Sequence, residues 1–165
     1  MIPLLPNLVE ALRTELTQYG EMLALLETQQ DLVTRHGTDA VLDSITAITG
    51  QGQAIEAARQ QRLCWQRDLA ATLSLPGHAT FTQLLPRLPD DYRPLVGALV
   101  QENNELLQRV RDCARQNHRL MRHSLELMQR FIIMLSPSDV SDLPGGDEPP
   151  LDAVPPGSSL YAAIV

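Results

Sequence analysis

The side chains of this sequence whose types and spacing bear on chemistry are few: four histidines, two cysteines and a pair of evenly placed asparagines. His118 and His123 lie five residues apart, which on a helix turns them to different faces. Zinc-binding helices set two histidines four apart so that both point at one ion. His36 and His78 fall where helices are expected to end, and read as solvated or capping groups. Cys64 and Cys113 are isolated within apolar helical registers, and so read as small core residues in a reducing compartment. Nucleophilic catalysis needs a Ser or Cys beside a base and an orienting acid. No glycine-framed Ser occurs, and Gly145-Gly146 is bounded by Pro and acids instead of opening a phosphate-binding helix. A phosphotransfer histidine needs small neighbours that admit a partner domain, whereas His118 has Arg115, Arg119 and Arg122 nearby, and His123 has Arg119 and Arg122. The expectation is a protein without catalytic residues, metal or cofactor.

Asn103 and Asn117 say more. They occupy equivalent heptad positions two heptads apart, and Ser124 extends the column. Polar groups inside a helical seam cost stability but fix register and pairing. Facing groups are expected from Gln30, Arg59 or Arg62, the polar interruptions of the preceding helices. The layer is either internal or shared with a bound partner. Further along, Met121, Met128 and Met134 lie in an apolar stripe. Unbranched Met adapts to varied surfaces, and the ordinary alternative is plain core.

These residues need long helices to position them. Leu5, Val9, Leu12, Leu16, Tyr19, Leu23 and Leu26 alternate steps of four and three, the next place is Gln30, and Val33 resumes the seam. Met22 and Leu25 widen that stripe, and His36-Gly37 closes it. Thr38 or Asp39 then offers a cap to a second helix. Its apolar face shifts phase after Ile55 and is weakened by Gly50 and Gly52, which mark a close approach or a weak point. Thr80 and Gln83 have capping-box spacing for a short piece expected to plug one end of the bundle. After Asp90 or Asp91 as cap, and Pro94 in the first turn, the four-three rule runs from Val96 to Met134. A third column, Val100, Leu107, Ala114, Met121, Met128 and Leu135, runs beside it. A stripe that wide suits a helix with two neighbours, or one that keeps apolar surface for a partner.

The expected fold is therefore all-α: an elongated antiparallel three-helix bundle or coiled coil over residues 1–135. Its helices fall at about 4–36, 39–74, 80–86 and 91–135. At ~1.5 Å per residue the last helix is roughly 65 Å long, so the molecule is a rod. Residues 136–165 hold six Pro, three Gly and five acids with no Arg, a composition expected to be disordered. The apolar LYAAIV that ends this stretch, with Leu160 and Tyr161, is a candidate docking motif.

Charge narrows the partners. The formal net charge is -7, all 13 basic residues are Arg, and neither the body nor the tail has a basic field. Nucleic acid and anionic membrane surfaces are thereby disfavoured. No apolar run approaches a membrane span and the opening MIPLLPNL lacks signal-peptide features, so a cytoplasmic location is expected.

Three stretches carry a resemblance. ALRTELTQYGEMLALLETQQDLV, GTDAVLDSITA and LVQENNELLQRVRDCARQNHRLMRHSLELMQRFIIML together resemble the FlgN family of flagellar export chaperones over residues 5 to 135. The resemblance implies binding of hook-associated (hook–filament junction) subunits in the cytoplasm, cover for their amphipathic terminal segments, and delivery to the type III export gate and ATPase. It places client binding towards the end of the long helix, at Leu120, Met121, Leu127, Met128, Phe131, Met134 and Leu135. A gate-docking tail aromatic would correspond loosely to Tyr161, beside Leu160. The competing expectation is an oligomeric coiled-coil scaffold without a secretion role.

Overall fold

The structure, a computed structural model, describes residues 4–35 and 37–135. The expectations that fall on His36, on a disordered 136–165 and on Leu160 and Tyr161 lie outside the described residues. Four helices follow one another: α1 (Leu5–Arg35), α2 (Thr38–Thr72), the short α3 (Phe81–Leu84) continued by a 3-10 turn (Leu85–Arg87), and α4 (Arg93–Leu135). Among the described residues there is no strand.

Side-chain bonds between the long helices fix their directions. Gln51 of α2 donates to the main-chain and side-chain oxygens of Gln18 in α1 at 2.9 Å each, and Gln29 donates to Ser44 at 3.1 Å. Rising numbers in α1 thus meet falling numbers in α2, and the pair is antiparallel. Asn103 and Asn117 of α4 reach α1 at Leu12 and Leu26, each 91 residues earlier. That offset is a whole number of heptads, so α4 runs parallel to α1 in unbroken register. Its column Val96, Asn103, Val110, Asn117 thereby faces Leu5, Leu12, Tyr19, Leu26. α1 is the shared wall on which both α2 and α4 lie, and those two touch each other little.

The apolar stripes bury into two main clusters. One joins Leu5, Leu8, Leu12, Leu69, Val96 and Leu99, roofed by Leu88 and the half-buried Trp65 and Phe81. The other joins Tyr19, Met22, Leu26, Ile48, Ile55 and Val110. A satellite of Ala70, Ala79 and Leu84 shows how α3 closes the end where α1 begins. The Gln83 side chain accepts from the Thr80 main-chain N–H at 3.0 Å, half of the capping box read from the sequence.

Three helix ends differ from expectation. Gly37 caps α2 in an extended conformation, leaving Thr38 inside and Asp39 in the first turn, where a carboxylate favours the helix dipole. α4 starts beyond both aspartates. Arg93 pairs with Asp90 at 3.0 Å and reaches back to the carbonyls of Leu85 and Leu88, tying α4 to the 3-10 turn. α2 stops before Leu75-Pro76-Gly77: Ser74 takes φ 57, its N–H meets Ala71 O and that of Leu75 meets Ala70 O. This is a Schellman termination with Ser where Gly is usual.

Candidate functional site

The asparagine layers are internal to the molecule. Asn103 Nδ2 donates to Leu12 O and Leu99 O at 3.0 Å each, and Asn117 Nδ2 donates to Leu26 O at 2.6 Å and Gln29 Oε1 at 3.2 Å. Gln29 passes the contact on to Ser44 of α2, whose hydroxyl donates to Val41 O at 2.6 Å. One polar chain thus crosses three helices. The partner is Gln29 and not the anticipated Gln30, because a column at sevens, Leu8, Glu15, Met22 and Gln29, is fully in the core. Sequence reading noticed Met22 alone in that column. Its signal was the seven-residue spacing from Leu8, masked by the polar residues at every second place.

Glu15 in that column answers for the arginines. Arg62 Nε donates to Glu15 Oε2 at 2.7 Å, Tyr19 OH donates to Glu15 Oε1 at 2.8 Å, and the Arg62 guanidinium lies 5.9 Å from the Phe81 ring centre. Arg62 also donates to Gln66, which donates to Ala79 O, so the ion pair anchors the α3 end as well. Burial, followed by the Glu15 carboxylate, pushes the Tyr19 phenol far above its usual range. Arg59 and Arg62 therefore do not bond the asparagines. They line a cleft beside Asn103 and Tyr19. Ala58, not Arg59, takes the seam position after Ile55.

The other chemistry-bearing side chains stay apart. Cys64 is exposed, contrary to the core reading, while Cys113 is half-buried against the second cluster with its thiol pushed up by burial and by Glu27. His78, His118 and His123 are exposed. Among the described residues no three His, Cys, Asp or Glu side chains converge as metal ligands, and no helix is long and apolar enough to cross a membrane.

The surface that stands out is the end of α4. On the 91-residue offset, Arg35 at the end of α1 stands level with Glu126, and α2 begins beside it. Residues 127–135 therefore project beyond both neighbours, by about 13 Å at ~1.5 Å per residue. Gln129 and Arg130 are the polar residues of this projection; the rest is Leu127, Met128, Phe131, Ile132, Ile133, Met134 and Leu135. Exposure climbs from 51% at Leu127 to 81% at Met134. Of the anticipated client-binding residues, Leu120 and Met121 are half-buried within the bundle, while Leu127, Met128, Phe131, Met134 and Leu135 gather on the bare end. Leu125, just before the projection, and Ile132 and Ile133 on it are also exposed, and were missed because they lie off the heptad columns. A contiguous exposed apolar surface of this kind marks an interaction site.

No curated protein and no solved structure matches the chain. The family model described as FlgN protein matches residues 1–143, which takes in all four helices and the bare end. The chain belongs to the FlgN family and is accordingly a flagellar chaperone for export, of a kind that binds flagellar subunits.

Proposed function

We propose that the projecting end of α4 captures the terminal segment of a hook-associated (hook–filament junction) subunit in the cytoplasm, and that the chain then hands this client to the type III export gate and ATPase. The single observation behind the reading is the helix end that outruns its own bundle while carrying seven exposed apolar residues out of nine. A client segment that becomes helical only in its final assembly would lay its apolar face against this end. Ordering that segment consumes part of the interaction energy, which keeps affinity moderate and release feasible. The role needs no catalytic group, cofactor or metal.

Leu127→Asp together with Met128→Asp tests it. The pair should abolish co-purification of the junction subunit while circular dichroism retains most helicity, since neither side chain is enclosed. Undiminished capture would refute the assignment. The scaffold alternative is read by sedimentation: a stable oligomer of the chain alone, unchanged by client, would replace the chaperone reading of this surface.

A further inference from the structure

We infer that residues 160–165 of this same chain occupy the bare end of α4 while no client is bound, with the acidic stretch before them lying along the arginines of α4. The inference rests on reading that end as the capture surface, and adds what holds it between clients. The family match stops at residue 143, so family membership does not account for this segment.

Three observations favour this occupant. The first is adjacency: the chain leaves the bare end directly into residues 136–165, and the final six, LYAAIV, are apolar after an acidic run. The second is reach. Residues 136–159 could span as much as about 80 Å if extended, several times the length of the projection, so folding back is unstrained. A tether of this order gives an effective concentration of about a millimolar, enough to form a contact too weak to join separate molecules. The third is charge. Residues 109–135 carry six Arg against Asp112 and Glu126, whereas 136–165 carry five acids and no basic residue. Arg119 and Arg130, both exposed, make no ion pair among the described residues. They stand three helical turns apart on the face turned away from the Asn117 seam, placed to meet an acidic strand without blocking the apolar side.

Amide hydrogen exchange without client decides the matter, on the full chain, on a chain ending at Leu143, and on the full chain with Leu160→Asp and Tyr161→Asp. Amides of residues 127–135 should exchange roughly tenfold more slowly in the full chain than in either variant, at every protein concentration. The substituted chain keeps the full length, so simple fraying at a new end does not imitate the result. Equal exchange in all three forms overturns the inference, and so does protection that grows with concentration, which would identify a second copy. If junction subunits bind none of the forms while the protection persists, the capture reading fails and the intramolecular contact stands. Where both hold, the doubly substituted chain should bind the subunit more tightly than the full chain.

Discussion

Asn103 and Asn117 are equivalent in heptad position, yet their loss would expose different things. Asn103 donates only to main-chain carbonyls that already serve their own helices. Asn103→Leu should therefore leave stability unchanged or raise it by about 1 kcal/mol. Asn117→Leu deprives the buried Gln29 Oε1 of a donor and should cost about 1–2 kcal/mol. Urea unfolding of the two variants checks the contrast, and equal effects would count against Gln29 as the distinguishing partner. Tyr19 supplies a pH dependence. The chain has no Lys, so above about pH 9 the side chains that titrate are Tyr and Cys. Burial and Glu15 hold Tyr19 protonated in the fold, while an unfolded Tyr ionises near pH 10. The unfolded state then binds fewer protons than the native one, and stability falls as pH rises through that range. Cys113, raised by burial, acts in the same direction from a lower pH. Tyr19→Phe should flatten the decline above pH 10, at a cost of about 1 kcal/mol near neutrality from the lost bond to Glu15. An unaltered slope in guanidinium unfolding between pH 9 and about 11.5 would contradict this.

Among the elements, α2 is the weak member. Its buried residues are sparse, Ile48, Ile55, Ala58, Leu69 and Ala70, because its apolar phase shifts part-way along. The shift lets Arg62 remain on the inner face and meet Glu15. Nothing lies near the place a Cβ would take at Gly50, so this glycine marks a weak point and not a close helix approach. Gly50→Ala should stabilise by about 1 kcal/mol through helix propensity alone. At the other end Ser74 holds a left-handed conformation that favours glycine, and Ser74→Gly should contribute about 1 kcal/mol as well. The sites are far apart along one helix, so the gains should add in a double variant. A thermal melt of the three proteins measures it, and no gain at Ser74 would mean that another contact offsets the strain.

For the whole molecule, the informative feature is the mismatch between α4 and the hairpin beside it. The bundle needs α4 only as far as Glu126, where α1 ends. A chain ending at Glu126 should thus unfold within about 0.5 kcal/mol of one ending at Leu143, losing only the helicity of the removed turns. A markedly lower midpoint would show that the projecting end belongs to the core. Two polar layers hold the body in register, Glu15 with Tyr19 and Arg62, and Asn117 with Gln29 and Ser44. They let the molecule carry an apolar end without slipping along its own seam to cover it.

Much of the fold was legible in local pattern. Helix type, the four-three seams of α1 and α4 and the plugging piece near Phe81 follow from side-chain spacing, since a helix's inner face is set by the period of 3.6. The asparagine column and the greasy end of α4 were legible for the same reason. Pairing across helices was not. Periodicity tells which residues face inward but not which helix they meet, so Gln30 stood in for Gln29, and nothing in the spacing marked Glu15 as the partner of Arg62. Cys64 sat in an apolar register and yet is exposed, because α2 turns that face away from its neighbours. Above all, only the tertiary offset of 91 residues between α1 and α4 decides where cover stops. Composition determined that the end of α4 is apolar; the relative lengths and registry of three helices determined that it is bare.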